Sequence, residues 1–301
     1  MQQSDRAGLL FALAGFCTLT IGDSIVKGID GAWAPTAIAA WRYALGAVGL
    51  TTLLVMKQGW APLRNIPRPG MQWLRGAGVA IATICFFAGV WLMPLTEVVA
   101  LAFTQPMITA ILAAIFLREK LRWQTVAATL VAFVGVIIVL RPNFAEIGLG
   151  ALLPLGAAFG MAILVTANRA VAGRGSALAM QAYVAIFATV ILLVAMVIGH
   201  LSGMAELQVE WPVWHITARV AVIAVTASAA HWLIYLGTER AGAATVAPMT
   251  YGQLIAASLL GYLFFDELPD LTAMLGAILI ILSGLWLWYL GRNRRGTKVP
   301  A

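Results

Sequence analysis

Long apolar runs alternate along this chain with short connections rich in charge, glycine and proline. Each run is close to the ~20 residues that a helix needs to cross about 30 Å of hydrocarbon. Ten such runs are read, at 8–26, 35–56, 73–92, 97–117, 123–140, 149–168, 178–199, 215–236, 243–264 and 271–290. The connections carry turn signals: Lys57 to Arg75 with Pro62, Pro67 and Pro69, then Arg118-Glu119-Lys120, Arg141-Pro142-Asn143, Gly173-Arg174-Gly175 and Asp266 to Asp270. The third and fourth runs are divided only by Met93-Pro94-Leu95-Thr96-Glu97. The pattern predicts an all-α integral membrane protein with ten transmembrane helices.

Composition points to the same solvent. The chain is 62% apolar and 10% charged, against about 45–50% and about 25% in soluble domains. A mean hydropathy of +0.93 over 301 residues leaves no stretch polar enough for a soluble domain of ~100 residues. The first run follows a single basic residue, Arg6, contains Asp23, and leads into Val26-Lys27-Gly28-Ile29-Asp30 rather than a small-residue cleavage site, so a retained membrane helix is expected. Cys17 and Cys85, the only cysteines, lie in apolar runs and read as small hydrophobes, not as a disulfide.

The formal charge of +7 does not point to nucleic acid, because the basic residues punctuate apolar segments instead of forming a folded patch. They sort by side. With a cytoplasmic amino terminus the inner face collects Arg6, Lys57, Arg64, Arg68, Arg75, Arg118, Lys120, Arg122, Arg169, Arg174, Arg240, Arg292, Arg294, Arg295 and Lys298. The outer face receives Lys27, Arg141 and Arg219, so the count is 15 against 3, with Arg42 inside a span. That bias predicts both termini in the cytoplasm; a bacterial inner (plasma) membrane is the expected location, with the lipid bilayer as a partner.

The chain also resembles itself at a shift of 148 residues. Ala102-Phe103-Thr104-Gln105 faces Thr250-Tyr251-Gly252-Gln253, and Leu117-Arg118-Glu119 faces Phe265-Asp266-Glu267. At shorter shifts Phe16 faces Phe159 and Tyr43 faces Tyr183. Two five-helix halves, 1–145 and 146–301, follow, and an odd helix number makes the second enter from the opposite side, the inverted repeat of many secondary transporters. Chance alignment of apolar helices is the competing explanation.

The run Met93 to Pro106, then Phe116-Leu117-Arg118-Glu119 and Gly135 to Pro142, resembles the EamA domain of the drug/metabolite transporter superfamily. Val246 to Gln253, Gly261 to Asp270, Gly276 and Ser283-Gly284 repeat the resemblance, and Trp41-Arg42-Tyr43 is similar to the family's arginine at the start of its second helix. The resemblance implies a ten-helix bundle around a central cavity, moving amino acids, nucleotides, vitamins or drugs by exchange or proton coupling. The second half departs from it, with Gln181-Ala182-Tyr183 where the first has Trp41-Arg42-Tyr43.

Polar groups inside the spans are the candidate site residues. Asp23 and Arg42 are an intramembrane acid and base, each costing about 2.5–3.5 kcal/mol at a helix centre; a structural ion pair and a cavity-lining role both explain them. Gln105 and Gln253, on corresponding helices, need partners in hydrocarbon and read either as interhelical glue or, with Thr104, Thr250 and Tyr251, as a substrate site. Pro106 and Pro248 free backbone carbonyls beside them. His231, placed about five residues from the inner end of its helix, is a packed histidine or a proton carrier. Glu97 caps its helix or serves coupling, while Glu119 and Glu267, recurring at loop entrances, read as structural. Arg42, Gln105, Thr250, Tyr251 and Gln253 are therefore the expected substrate-binding set, and Asp23, Glu97 and His231 the expected ion-pair or coupling set.

No His-Glu-x-x-His, Gly-x-Ser-x-Gly or phosphate-binding Gly-x-x-x-x-Gly-Lys-Ser/Thr occurs, so no catalytic role, metal, cofactor or nucleotide drive is expected. The expected function is a secondary transporter for a small organic metabolite, with protons or an exchanged metabolite as the driving partner. A channel or a passive scaffold is the alternative. A single chain and a homodimer are both open to such a protein.

Overall fold

The computed structural model describes residues 3–29, 31–116, 123–171, 173–241 and 246–292, which are mostly helical and, among the described residues, contain no strand. The helices are α1 (Gln3–Lys27), α2 (Pro35–Gln58), the single-turn α3 (Ala61–Arg64), α4 (Pro69–Leu92), α5 (Leu95–Ala102), α6 (Gln105–Phe116), α7 (Trp123–Ile147), α8 (Leu153–Val171), α9 (Ala177–Leu201), α10 (Trp214–Ala241), α11 (Gly252–Phe265) and α12 (Leu271–Arg292). Three 3₁₀ turns, Gly148–Leu152, Ala205–Leu207 and Ala247–Tyr251, join them. A backbone without water must satisfy its own polar groups, which is why apolar runs of this length become helices. Seven described helical stretches are long and apolar enough to cross a membrane, and three shorter apolar ones, Val126–Leu140, Met249–Phe265 and Leu271–Trp286, occupy the remaining expected positions.

The boundaries depart from expectation at three places. Arg141-Pro142-Asn143 was expected to be a connection, yet α7 runs through it to Ile147, because a proline deletes only its own bond to the previous turn and the helix continues beyond it. The expected half boundary at residue 145 therefore falls in the last turn of α7. Helix α4 begins at Pro69, not residue 73, with proline in the first turn where its missing N–H costs nothing. Arg75 is consequently not a loop residue but a buried one, donating to Asn168 Oδ1 and Gln72 Oε1. Finally, α10 extends to Ala241, so His231 stands ten residues (241 − 231) from its end rather than about five. The Leu117-Arg118-Glu119 motif, with Lys120 and Arg122, lies outside the described residues, as do Arg294, Arg295 and Lys298.

Helix pairs that are distant in sequence make the bundle: α1 packs on α10, α4 on α8 and α9, α2 on α9, and α7 on α12. Glycine permits the closest crossings. A Cβ on Gly78 would come 2.7 Å from the Gly160 carbonyl oxygen, and one on Gly135 2.6 Å from that of Gly276, so these backbones touch directly, as small residues allow in membranes. Buried Val26, Ile38, Phe87, Leu95, Leu101 and Leu192 belong to one core cluster. Large apolar side chains such as Val48, Phe133 and Ile255 point outwards, where hydrocarbon takes the place of water.

The bundle has two distinct ends. At one, the Arg68 guanidinium donates to the Ala170 carbonyl (2.8 Å), Ser176 donates to Gln58 (3.0 Å) and Tyr183 to the Pro62 carbonyl (2.6 Å), close to Lys57, Arg64 and Arg174 in sequence. At the other, Arg219 donates to the Gly28 carbonyl (2.9 Å) and Trp91 to the Val26 carbonyl (3.0 Å).

Candidate functional site

Two membrane segments are interrupted, and the interruptions face one another. Helix α5 ends at Ala102; Phe103 and Thr104 form a turn, and α6 starts at Gln105 with Pro106 as its second residue. The Thr104 hydroxyl donates to the Leu101 carbonyl at 2.7 Å, which also accepts the Thr104 N–H at 3.1 Å and so closes the turn. In the second segment Pro248 lies in the first turn of the 3₁₀ stretch Ala247–Tyr251, which hands over to α11. The rings of Phe103 and Tyr251 meet edge to face, centroids 5.2 Å apart at 81°.

Of the expected substrate-binding set, Gln105, Thr250, Tyr251 and Gln253 all fall at these breaks and are half-buried. Gln105 spends its amide N–H on Thr109 Oγ1 (2.8 Å), whose own hydroxyl returns to the Gln105 carbonyl (2.8 Å). Gln253 makes no side-chain hydrogen bond among the described residues. The Tyr251 hydroxyl lies against Gly284 of α12.

Arg42 lies on α2, away from the breaks in sequence, with its guanidinium over the rings of Tyr43 (5.1 Å) and Phe87 (5.5 Å). Thr83 of α4 donates to the Tyr43 hydroxyl (3.3 Å), holding that ring. Asp23 and Arg42 do not form an ion pair within 4.0 Å, although Arg42 is a charge felt by both Asp23 and His231. All three keep some accessible surface within the bundle although they lie in apolar helices. His231 Nδ1 is 2.7 Å from the Ala227 carbonyl one turn back.

The ion pair of the described residues is one that the sequence did not signal. Lys27 Nζ lies 2.7 Å from Glu267 Oε1 and donates to the carbonyls of Val90 and Met93, both at 2.8 Å. Glu267 Oε2 accepts the Leu95 N–H at 3.2 Å, and the ammonium sits 5.5 Å from the Phe265 ring. Below it, buried Glu97 and Thr96 of α5 line a cleft of about 120 Å³ with Ser258 of α11, and the Thr96 hydroxyl donates to Ser258 at 3.3 Å. Glu267 was expected to be structural, and nothing in the spacing marked Lys27 as its partner.

Such a bundle, with facing helix breaks and a few charges held inside, defines a polytopic helical carrier of small solutes. The chain belongs to the EamA-like transporter family, which matches residues 6–141 and again 148–289. It is similar to the S-adenosylmethionine uptake transporter of Rickettsia prowazekii (strain Madrid E), 24% identical over 97% of this chain and 95% of that one. The riboflavin transporter of Vibrio cholerae serotype O1 is 27% identical over 97% and 94%. The pseudopaline exporter of Pseudomonas aeruginosa (strain UCBPP-PA14) is 22% identical over 97% and 98%. A protein solved by crystallography shares the fold, with a TM-score of 0.59 at 18% identity, covering 97% of this chain and 99% of its own. The chain is thus an integral membrane protein and a small-metabolite transporter of this family.

Proposed function

We propose that the protein is a secondary transporter that carries a small organic metabolite by alternating access between two inverted five-helix repeats, 1–145 and 146–301. The observation that carries this reading is the pair of facing interruptions, Phe103–Thr104 and Ala247–Tyr251, whose rings touch at 5.2 Å. Interrupted helices at corresponding places in two halves supply unpaired backbone groups and hinges at one site. The reciprocal packing of α1 on α10 and of α4 on α8 supports the repeat, since each pair joins the first or third long helix of one half to the third or first of the other.

Arg42, Gln105, Thr250, Tyr251 and Gln253 bind the substrate, with Arg42 taking its anionic group. Asp23, Glu97 and His231 are the groups available to a coupling proton. The Lys27–Glu267 pair closes one end of the path by fastening the last turn of α1 to the α11–α12 connection, and that end faces outwards in a bacterial inner membrane with both termini cytoplasmic. The relatives' solutes, S-adenosylmethionine, riboflavin and pseudopaline, support a small organic metabolite of amino-acid, vitamin or nucleotide-like character as the substrate. Transport rather than catalysis is the activity.

Counterflow in proteoliposomes tests the reading. Vesicles preloaded with unlabelled substrate should accumulate labelled substrate transiently above equilibrium; flux without such acceleration indicates a channel, and its absence for every candidate metabolite a scaffold.

A further inference from the structure

Two glycines of α12 are crowded for different reasons. Gly276 meets backbone, the Gly135 carbonyl oxygen across the α7–α12 crossing. Gly284, about two turns further along, meets a side chain. A Cβ on it would collide with the Tyr251 hydroxyl oxygen, while the next neighbours, Tyr251 Cζ at 3.4 Å and Met107 Cε at 3.7 Å, stand at ordinary contact distance. The hydroxyl is therefore the one obstacle among the atoms nearest to that Cβ. It makes no hydrogen bond among the described residues, so what α12 supplies to it is space rather than a partner.

That space decides where the ring stands. Tyr251 closes the 3₁₀ stretch Ala247–Tyr251, and its ring meets Phe103 of the opposite interruption edge to face, at 5.2 Å and 81°, within the ~4.5–7 Å of such pairs. With its hydroxyl end seated on α12, the ring is fixed at both ends of its long axis. The following residue is fitted in the same way: a Cβ on Gly252 would collide with Leu13 Cδ1 of α1. The second interruption is thus gripped between α1 and α12, and buried Met107 of α6 brings the helix that follows the first interruption to the same point. Close packing of this kind transmits a displacement of one group to its neighbours.

We propose that Gly284 is a positioning residue of the transport site: the socket it leaves on α12 takes the Tyr251 hydroxyl and so sets the ring that joins the two helix breaks. The proposal rests on the reading of those breaks as the transport site, but the socket is measured without substrate. A failed counterflow experiment leaves the socket standing, and a failed socket leaves alternating access standing.

Fluorine NMR of the full chain in lipid nanodiscs tests it, with 4-fluorophenylalanine placed at position 103 to report the neighbouring Tyr251 ring. Gly284→Ala should displace the resonance by more than its line width in the tyrosine protein. Tyr251→Phe keeps a ring and removes the colliding atom, so the same alanine should leave the resonance in place when Tyr251→Phe is also present. A glycine needed only for helix packing would not be relieved by the loss of one hydroxyl. Gly46→Ala in α2, where nothing lies within 4 Å, should leave the resonance unmoved. Displacement by Gly284→Ala in both backgrounds or in neither, or an equal displacement by Gly46→Ala, would overturn the assignment. Should Gly284→Ala fail to accumulate in the membrane, recovery by Tyr251→Phe supports the socket and continued failure overturns it.

Discussion

Lys27 and Glu267 close on each other at 2.7 Å from opposite ends of the chain, and together they engage four helix termini. The lysine spends its three N–H groups on Glu267 and on the carbonyls of Val90 and Met93 where α4 ends. The glutamate takes the Leu95 N–H where α5 begins. Each charge thus answers an orphan group at a helix end of matching polarity.

Removing either partner should destabilise the protein, because the other is left buried without its counter-charge. A loss of ~3–5 kcal/mol is typical of breaking a buried pair, and the lower end or less is expected here since the Glu267 side chain keeps 24% of its exposure. Thermal unfolding in detergent should show Lys27→Ala and Glu267→Gln each below the parent, with Lys27→Met/Glu267→Met recovering part of the loss. A double variant no better than the worse single one would show that the two charges act independently.

The close crossing of α4 and α8 gives a second stability test. Gly78→Ala forces a methyl to within 2.7 Å of a backbone oxygen on α8, whereas Gly46→Ala in α2 meets nothing within 4 Å. Overpacking costs typically ~1–3 kcal/mol, while alanine in an open helix site is favourable by about 0.5–1 kcal/mol. The two should move the unfolding midpoint in opposite directions; equal effects would mean that the α4–α8 contact relaxes freely.

Much of this fold was legible because hydrocarbon allows so few solutions: apolar runs of ~20 residues have little choice but to be helices. The breaks at Phe103–Thr104 and Ala247–Tyr251 were legible too, through Pro106, Pro248 and the repeated glutamines. Proline misled at Pro142, where the same residue type interrupts one hydrogen bond of α7 without ending it. The Lys27–Glu267 pair was hidden for a different reason. In the sequence both fall just outside the apolar runs, where charges ordinarily face water, and only the packing of α1, which ends at Lys27, against α11 brings them together. The seat of the Tyr251 hydroxyl on Gly284 was equally out of reach, since a glycine in an apolar run does not show what packs on it.

Acid should loosen the start of α12. Asp270 accepts from the Thr272 hydroxyl at 2.7 Å and from the Thr272 N–H, which holds its carboxyl below the ordinary aspartate range. A depressed folded-state pKa means that the stabilisation is complete above the unfolded value and is lost as pH falls through the folded one. Asp270→Asn keeps a capping side chain without the titration, so its unfolding midpoint should respond less to acid than the parent's. Parallel responses would assign the acid sensitivity to other carboxyls.

The two ends of the bundle should lie on opposite sides of the membrane. Single cysteines at Gln58, at the end of α2, and at Gln208, between α9 and α10, should react with an impermeant thiol reagent from opposite faces, the first from the cytoplasm. Both positions are exposed, so accessibility does not limit the result when Cys17 and Cys85 are replaced by serine. Labelling of both from one side contradicts the ten-span topology.

Arg42 should decide transport more than folding. Its guanidinium rests over Tyr43 and Phe87, and no carboxylate lies within 4.0 Å of it among the described residues, so the charge is placed by ring contacts rather than by a direct ion pair. The corresponding position of the second half is Ala182, which argues against a charge required by the repeated scaffold. A carboxylate-bearing substrate would meet the planar fork through two parallel hydrogen bonds, which a lysine ammonium cannot reproduce. Arg42→Lys retains a cation for the two rings, and expression and unfolding temperature should stay near the parent's. The apparent KM should rise roughly ten- to a hundredfold, the value of a charge-assisted bond of ~1.5–3 kcal/mol. The exchanged variant Asp23→Arg/Arg42→Asp separates anchoring from a simple electrostatic balance across α1 and α2. A scaffold is indifferent to which helix bears which charge and would recover transport together with expression, whereas a substrate anchor must be cationic at position 42 and would recover expression alone.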